Sequence, residues 1–273
     1  KFAANMTVFP GGGVDARDFP GDVDGDGHDS PTLRWSGHSP EWWAEKFHVT
    51  PATARALVCA AVRETFEETG TLLAEDADGR PVADSSNYHA QRKALESKEL
   101  AFSDFMHDEN LGVRSDLVRP WGNWVTPESF PVRFDTFFFV AAQPEGQIAD
   151  GDTSEASSTG WFRPMTLLDG WRDGKVGLMP PTWAQIKRLL PYETVADVLA
   201  AADGVDVQVV GDRLAQLDGG DGRVEAAAPR AFPQHQRIAV VTVRAQHVRQ
   251  DQPDGHVLHA RRPSSPVLAA LSI

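Results

Sequence analysis

One cysteine in 273 residues, Cys59, rules out an intrachain disulfide and leaves no sign of an oxidising compartment. Its Ala-rich, helical surroundings read as a small buried core position, not as the seat of a nucleophile. Basic residues are also short: 26 Lys and Arg stand against 39 Asp and Glu, giving a formal charge of -13 and a pI near 5.1. Without a basic footprint, nucleic acid is not expected as a main partner. No apolar run approaches the roughly 18 residues that a membrane span needs, and the short run 137–142 reads as a buried strand. With no signal-peptide pattern at the start, the expectation is a soluble cytoplasmic protein without a membrane partner. Internal repeats are absent as well.

What is present suits one generous domain or two small ones, with a 41% hydrophobic content that permits a sizeable core. Residues 2–9 read as a strand entering a turn at Pro10-Gly11-Gly12-Gly13, where consecutive glycines allow positive φ and close backbone approach to a ligand. An irregular loop over 19–40 and a short helix through Trp42, Trp43 and Phe47 follow. The main helix takes Thr50 as N-cap, Pro51 as its first residue and Gly70 as its C-terminal glycine. Leu57, Val58, Ala61 and Val62 form its apolar side, which leaves the Glu-rich side free. A polar loop (75–87), a helical stretch (88–109), two strands (117–125 and 133–142) around a turn at 126–129, a strand at 160–163 and helices at 181–190 and 193–202 complete an α/β pattern. Past residue 203 the composition shifts, and the last 45 residues are rich in Gln, His and Arg. There 238–243 reads either as one strand or as part of a poorly specified tail.

The chemistry concentrates in Arg63-Glu64-Thr65-Phe66-Glu67-Glu68-Thr69-Gly70. Helical residues three and four apart share a face, so Glu64, Glu67 and Glu68 project together while Phe66 points elsewhere. A solvated charged face is the plain reading of a Glu-rich helix. Against it stand the stop at Gly70 immediately after the cluster and the placement of Arg63 to pair with a carboxylate. Crowding of this kind is best relieved by a hard divalent cation, Mg²⁺ or Mn²⁺, bound through oxygen.

This stretch resembles the second half of the Nudix box, Arg-Glu-U-x-Glu-Glu-x-Gly-U with U aliphatic. Arg63, Glu64, Glu67, Glu68 and Gly70 meet its five fixed positions. A chance match in a chain this long is on the order of one in ten thousand if residue types are equally common. The first half of the box matches Gly12, with Asp18 standing where the family has Glu, and residues 19–62 replace the usual seven-residue spacer. Thr65 and Thr71 occupy the two aliphatic positions. The interrupted box is similar to the peroxisomal coenzyme A diphosphatase type and its actinobacterial relatives. The similarity continues through Arg119-Pro120-Trp121, Arg133-Phe134-Asp135-Thr136 and Pro180-Pro181-Thr182, so it covers about residues 1–202.

The resemblance implies a Nudix α/β/α sandwich with a mixed sheet over residues 1–203, an insert at about 19–49 and a C-terminal tail, 204–273, of unknown structure. Nudix domains usually place a strand or two before the glycine turn, and only about nine residues precede it here, so those strands are expected to be missing. It also implies that Glu64 and Glu68 are the chief metal ligands, that Glu67 ligates or pairs with Arg63, and that the Gly12 carbonyl completes the coordination. The general base is Glu64 or a carboxylate on a later loop, with Glu155 as that candidate and a plain loop acid as the alternative. Arg133 is read either as a holder of a substrate phosphate or as an exposed ion-pair residue.

The resulting expectation is an enzyme that cleaves a phosphoanhydride in a nucleoside-diphosphate-linked small molecule. Coenzyme A or an acyl derivative leads, with NAD(H), nucleotide sugars and dinucleoside polyphosphates open, and the insert could equally serve a homodimer. The rival is a Nudix-fold binding module that does not cut its ligand; the intact glutamate set favours the enzyme. Asp22-Val23-Asp24-Gly25-Asp26-Gly27 resembles the start of a calcium loop, but Leu33 stands where the bidentate Glu is needed, so an acidic turn is the better reading. His235, His247, His256 and His259 lack metal-ligand spacing, and Trp42, Trp43, Trp121 and Trp124 read as core or lid aromatics. With every motif upstream, removal of residues 229–273 is expected to leave catalysis largely intact.

Overall fold

The computed structural model describes residues 6–15, 18, 33–127, 129–130, 132–152, 158–205, 207, 209–210, 238–246 and 267–271. The calcium-loop-like stretch, the four tail histidines and Glu155 lie outside these residues.

The apolar run 137–142 sets the architecture. Strand β7 (Phe134–Ala142) is buried through its centre, and its side chains alternate between two cores. Phe137, Phe139 and Ala141 join one core, with Trp43 and Phe47 of α1 (Pro40–Phe47) and Leu57, Val58 and Val62 of α2 (Pro51–Thr69). Phe138 and Val140 face the other, with Leu167 and Leu168 of α5 (Pro164–Arg172), Ile186 and Leu189 of α6 (Pro180–Leu189), and Val195 and Val198 of α7 (Val195–Asp203). Helices on both faces of one sheet make the expected α/β/α sandwich.

The sheet is mixed. Strand β6 (Val118–Val125) lies antiparallel to β7, which lies antiparallel to β11 (Ile238–Gln246). Beyond β11 come β12 (Val267–Leu271), β1 (Met6–Val8) and β9 (Gly177–Leu178), while β10 (Val209–Val210) edges β6 and β8 (Ser158–Phe162) pairs with β12. A small second sheet orders β3 (Arg34–Ser36), β5 (Gly112–Arg114) and β4 (Ala74–Glu75).

Two local expectations change, and one left open is decided. The glycines are not a turn: Gly11–Gly13 form strand β2, parallel to β11 with Gly12 opposite Val243, and only Gly11 of the three has a positive φ. The stretch 88–109 is two helices, α3 (His89–Glu96) and α4 (Phe102–Asp108), separated by a bend in which Lys98 adopts φ 64°. Of the two readings left open for 238–243, the strand is the one realised. It extends to Gln246 and matches β7 residue for residue, from Ile238 opposite Ala142 to Gln246 opposite Phe134. Helix α5 has no counterpart among the expected elements; Pro164 opens it at a position where a missing N–H does no harm.

Candidate metal and catalytic site

Helix α2 begins and ends where its sequence says. The Thr50 side chain accepts from Thr53 N, Pro51 fills the first turn, and Gly70 closes the helix at φ 74°, a left-handed conformation that favours glycine. Threonine at the aliphatic motif position is accommodated because the buried Thr65 hydroxyl donates to the Ala61 carbonyl one turn back. Cys59 is fully buried and burial pushes its thiol pKa up, which keeps it inert and confirms the core reading.

The Glu-rich side is not free. Glu64, Glu67 and Glu68 are 7%, 8% and 5% exposed. The difference arises because the side that looks polar in sequence packs against β2 and its neighbours. Gly11 N donates to Glu68 Oε2 at 2.9 Å, and a β-carbon on Gly12 would lie 2.2 Å from Glu64 Oε1. Only glycine lets the strand come this close to the carboxylate.

Arg63 organises the cluster. Its Nε and Nη2 donate to the two carboxylate oxygens of Asp18 at 2.7 and 2.9 Å, a bidentate fork. Its Nη1 donates to Glu64 at 2.9 Å and Glu67 at 3.2 Å, and Nη2 also reaches the Gly13 carbonyl at 3.0 Å. Asp18 is fully buried, so aspartate at the place of the family's glutamate retains a function as the anchor of Arg63. Burial opposes the charge on Arg63, but Glu64, Asp18 and Glu67 overcome it and hold the guanidinium's pKa above its ordinary value.

One arginine thus faces three carboxylates, Asp18, Glu64 and Glu67, while Glu68 accepts from Gly11 N. Among the described residues, no three His, Cys, Asp or Glu side chains converge closely enough to hold a metal ion as they stand. Glu64 and Glu67 are instead turned to Arg63 Nη1. The donor set nevertheless suits a hard divalent cation: buried carboxylate oxygens on one helix face, beside a strand whose glycines carry no side chain of their own.

Arg133 lies elsewhere in the hydrogen-bond pattern: its Nε donates to the Thr126 carbonyl across the β6–β7 hairpin. No motif along the chain singles out Arg92 or Asp150. Arg92, on α3, donates to the Glu67 carbonyl at 3.0 Å and to both Asp150 oxygens at 2.8 and 3.0 Å. A lone Arg in an amphipathic stretch carries no signal that it will meet the end of another helix.

The three-layer sandwich and the carboxylate helix that closes at Gly70 are what the resemblance to the Nudix class implies. The family model described as the NUDT19 Nudix domain matches residues 40–189, more than half of the chain, and the chain belongs to that family. The match spans α1, α2 and both strands of the central hairpin. Relatives include the acyl-coenzyme A diphosphatase NUDT19 of Xenopus laevis, 25% identical over 223 residues, covering 72% of this chain and 58% of that protein. The Gallus gallus protein of the same name is 23% identical over 265 residues, covering 78% of this chain and 69% of that one. The chain therefore spans little more than half the length of the Xenopus relative. The crystal structure of a Nudix hydrolase from Alicyclobacillus acidocaldarius overlaps with a TM-score of 0.44 at 26% identity, over 54% of this chain and 66% of that one, too loosely to guide placement of residues. Among the described residues, no helix is long and apolar enough to cross a membrane.

Proposed function

We propose that this chain is a Mg²⁺- or Mn²⁺-dependent diphosphatase that hydrolyses a phosphoanhydride in a small nucleoside-diphosphate-linked molecule, with coenzyme A or an acyl derivative as substrate. The observation that carries this reading is the burial of Glu64, Glu67 and Glu68 against a glycine strand that approaches Glu64 too closely for any side chain. Carboxylates confined in this way repel one another, and a binding module that does not cut its ligand has no use for them.

Glu64 and Glu68 are the principal ligands, Glu67 ligates or remains with Arg63, and the Gly12 carbonyl contributes a further oxygen. When bound, the cation neutralises diphosphate charge and makes a water more acidic. Arg63, held by Asp18, orients Glu64 and Glu67. Glu64 or Glu155 takes the proton of the attacking water, the latter assigned from sequence alone. Arg133 is assigned to a substrate phosphate through the part of its guanidinium beyond Nε.

The coenzyme A assignment is supported by relatives named as acyl-coenzyme A diphosphatases and by the length of the insert in the sequence between Gly12 and the glutamates of α2. Attack of water at the internal diphosphate gives adenosine 3′,5′-bisphosphate and a phosphopantetheine product. Comparing kcat/KM for coenzyme A, NADH, ADP-ribose and diadenosine polyphosphates, with Mg²⁺ and with Mn²⁺, tests the assignment, because the ratio reports differential transition-state binding. Coenzyme A should lead. A clear preference for another substrate would replace it and leave the diphosphatase reading standing; no turnover of any would remove both.

A further inference from the structure

We infer that Arg92, paired with Asp150, is a positioning residue that sets the metal affinity of the α2 carboxylates, an inference that rests on the metal-binding reading above. The geometry centres on Glu67. Arg63 holds its side chain at 3.2 Å, and Arg92 Nε holds its backbone carbonyl at 3.0 Å. One residue of the cluster is therefore fixed at both ends by different arginines, one on α2 itself and the other on α3.

Arg92 also ties a loop to the helix end. The last carbonyls of a helix have no partner within it. Here the Glu67 carbonyl takes Arg92 Nε, the Thr69 carbonyl takes Asp150 N at 2.8 Å, and the Gly70 carbonyl takes Ser85 Oγ at 2.6 Å. Gln147, a few residues before Asp150, bonds both Leu72 N and the Leu72 carbonyl. Lys93, next to Arg92, donates to Asp152 at 2.9 and 3.1 Å. The segment from Gln147 to Asp152 is thus fastened to α3 and to the end of α2, with Arg92 at the junction. A β-carbon at Gly70, the final glycine of the motif, would lie 2.8 Å from Arg92 Nη1 and 3.2 Å from Asp150 Oδ2. The space that glycine leaves is where the pair meets the helix.

This pair is poorly built for stability. Arg92 is 2% exposed, yet its Nη2 is buried without a hydrogen-bond partner, and Asp150 remains half open to water. Apolar residues of similar volume generally stabilise a fold at least as well as such a pair. What apolar residues do not supply is a directional hold on the backbone of a ligand-bearing turn, and ligand sets must be held within about 0.5 Å to act.

The test is Mn²⁺ binding by electron paramagnetic resonance and calorimetry without substrate, on the full chain and on Arg92→Met, Arg92→Lys and Arg92→Met/Asp150→Asn. Disturbing residues that orient metal ligands weakens affinity by about 10- to 100-fold. Arg92→Met should weaken Mn²⁺ by at least about 10-fold, and Arg92→Lys should recover part of that loss. The double variant removes the unmatched charge and should melt closer to the wild type while binding Mn²⁺ as weakly as Arg92→Met. If the single variant does not fold, the double and Arg92→Lys carry the same comparison. Wild-type affinity in folded Arg92→Met or in the folded double variant would overturn the inference alone. Failure of the wild type to bind Mn²⁺, or binding untouched by Glu68→Gln, would overturn the metal reading and the inference with it.

Discussion

The two halves of α2 are about equally buried for opposite reasons. From Ala54 to Val62 the helix is closed off mainly by apolar contact: Leu57, Val58 and Val62 share a core with Trp43, Phe137 and Val241, and only Arg55, donating to the Leu33 carbonyl, makes a directional side-chain bond. From Arg63 to Thr69 it is closed off by specific bonds, to Asp18, to Gly11 N, to Arg92 and to Asp150 N. The first half follows from packing density, which many apolar side chains satisfy. In the second half each partner matters, because a buried charge that loses its partner has no substitute.

The largest effect should come from removing residues 229–273. The sequence alone gives no reason to keep them, but β11 lies between β7 and β2, and its Val240 and Val241 enter the two cores. Deletion would open the edge of a buried strand and remove the neighbour of the glycine strand. Loss of a cooperative melting transition is expected in circular dichroism, and a truncated chain that melts as the full one does would show that β11 does not support either half of α2.

Next, Arg63→Ala and Leu57→Ala compare the halves directly. Arg63→Ala strands the fully buried Asp18 and should destabilise by about 3–5 kcal/mol. Leu57→Ala should cost about 2–5 kcal/mol by leaving a cavity. The sizes overlap, so the discriminating measurement is the rescue in denaturant unfolding. Adding Asp18→Asn should recover part of the Arg63→Ala loss and none of the Leu57→Ala loss. Equal response of the two would erase the distinction.

Glu68→Gln should hardly move stability, since the amide oxygen can still accept from Gly11 N. Turnover should nevertheless fall by orders of magnitude, because a ligand charge is lost. Near-normal activity in a folded variant would remove Glu68 from the metal set.

The smallest effect concerns His38, stacked on Trp42 at 3.8 Å beside the apolar half. Burial, then the neighbouring Arg119, holds its pKa below the ordinary 6.5, against opposing pulls from Asp203 and Asp116. With the folded pKa depressed, the unfolded chain takes up the proton first. The contribution of this group to stability is therefore complete above the ordinary pKa and declines as pH falls through it. His38→Gln should make the drop in Tm between about pH 7.5 and about pH 5.5 slightly shallower; an unchanged slope would show that His38 does not contribute to the acid limb.

Much of this protein was legible along the chain where the physics is local. Thr50, Pro51 and Gly70 delimit α2 because caps act within one turn, the run through Phe137, Phe138 and Phe139 reads as a buried strand because both faces are apolar, and the spacing of Glu64, Glu67 and Glu68 aligns three carboxylates. What the tertiary structure decided is where these pieces meet. Helical periodicity marks Glu64 and Glu68 as polar, and on that basis alone they belong in water; a glycine strand some fifty residues earlier takes them out of it. The same holds for Asp18 as the anchor of Arg63, for Arg92 at the helix end, and for β11, whose neighbours lie about a hundred residues upstream in β7 and still further away in β2. Sequence determines each segment's propensity and the chemical kind of its side chains. Pairings between distant segments depend on which edges and faces the rest of the fold leaves open, and that is settled only when the chain packs.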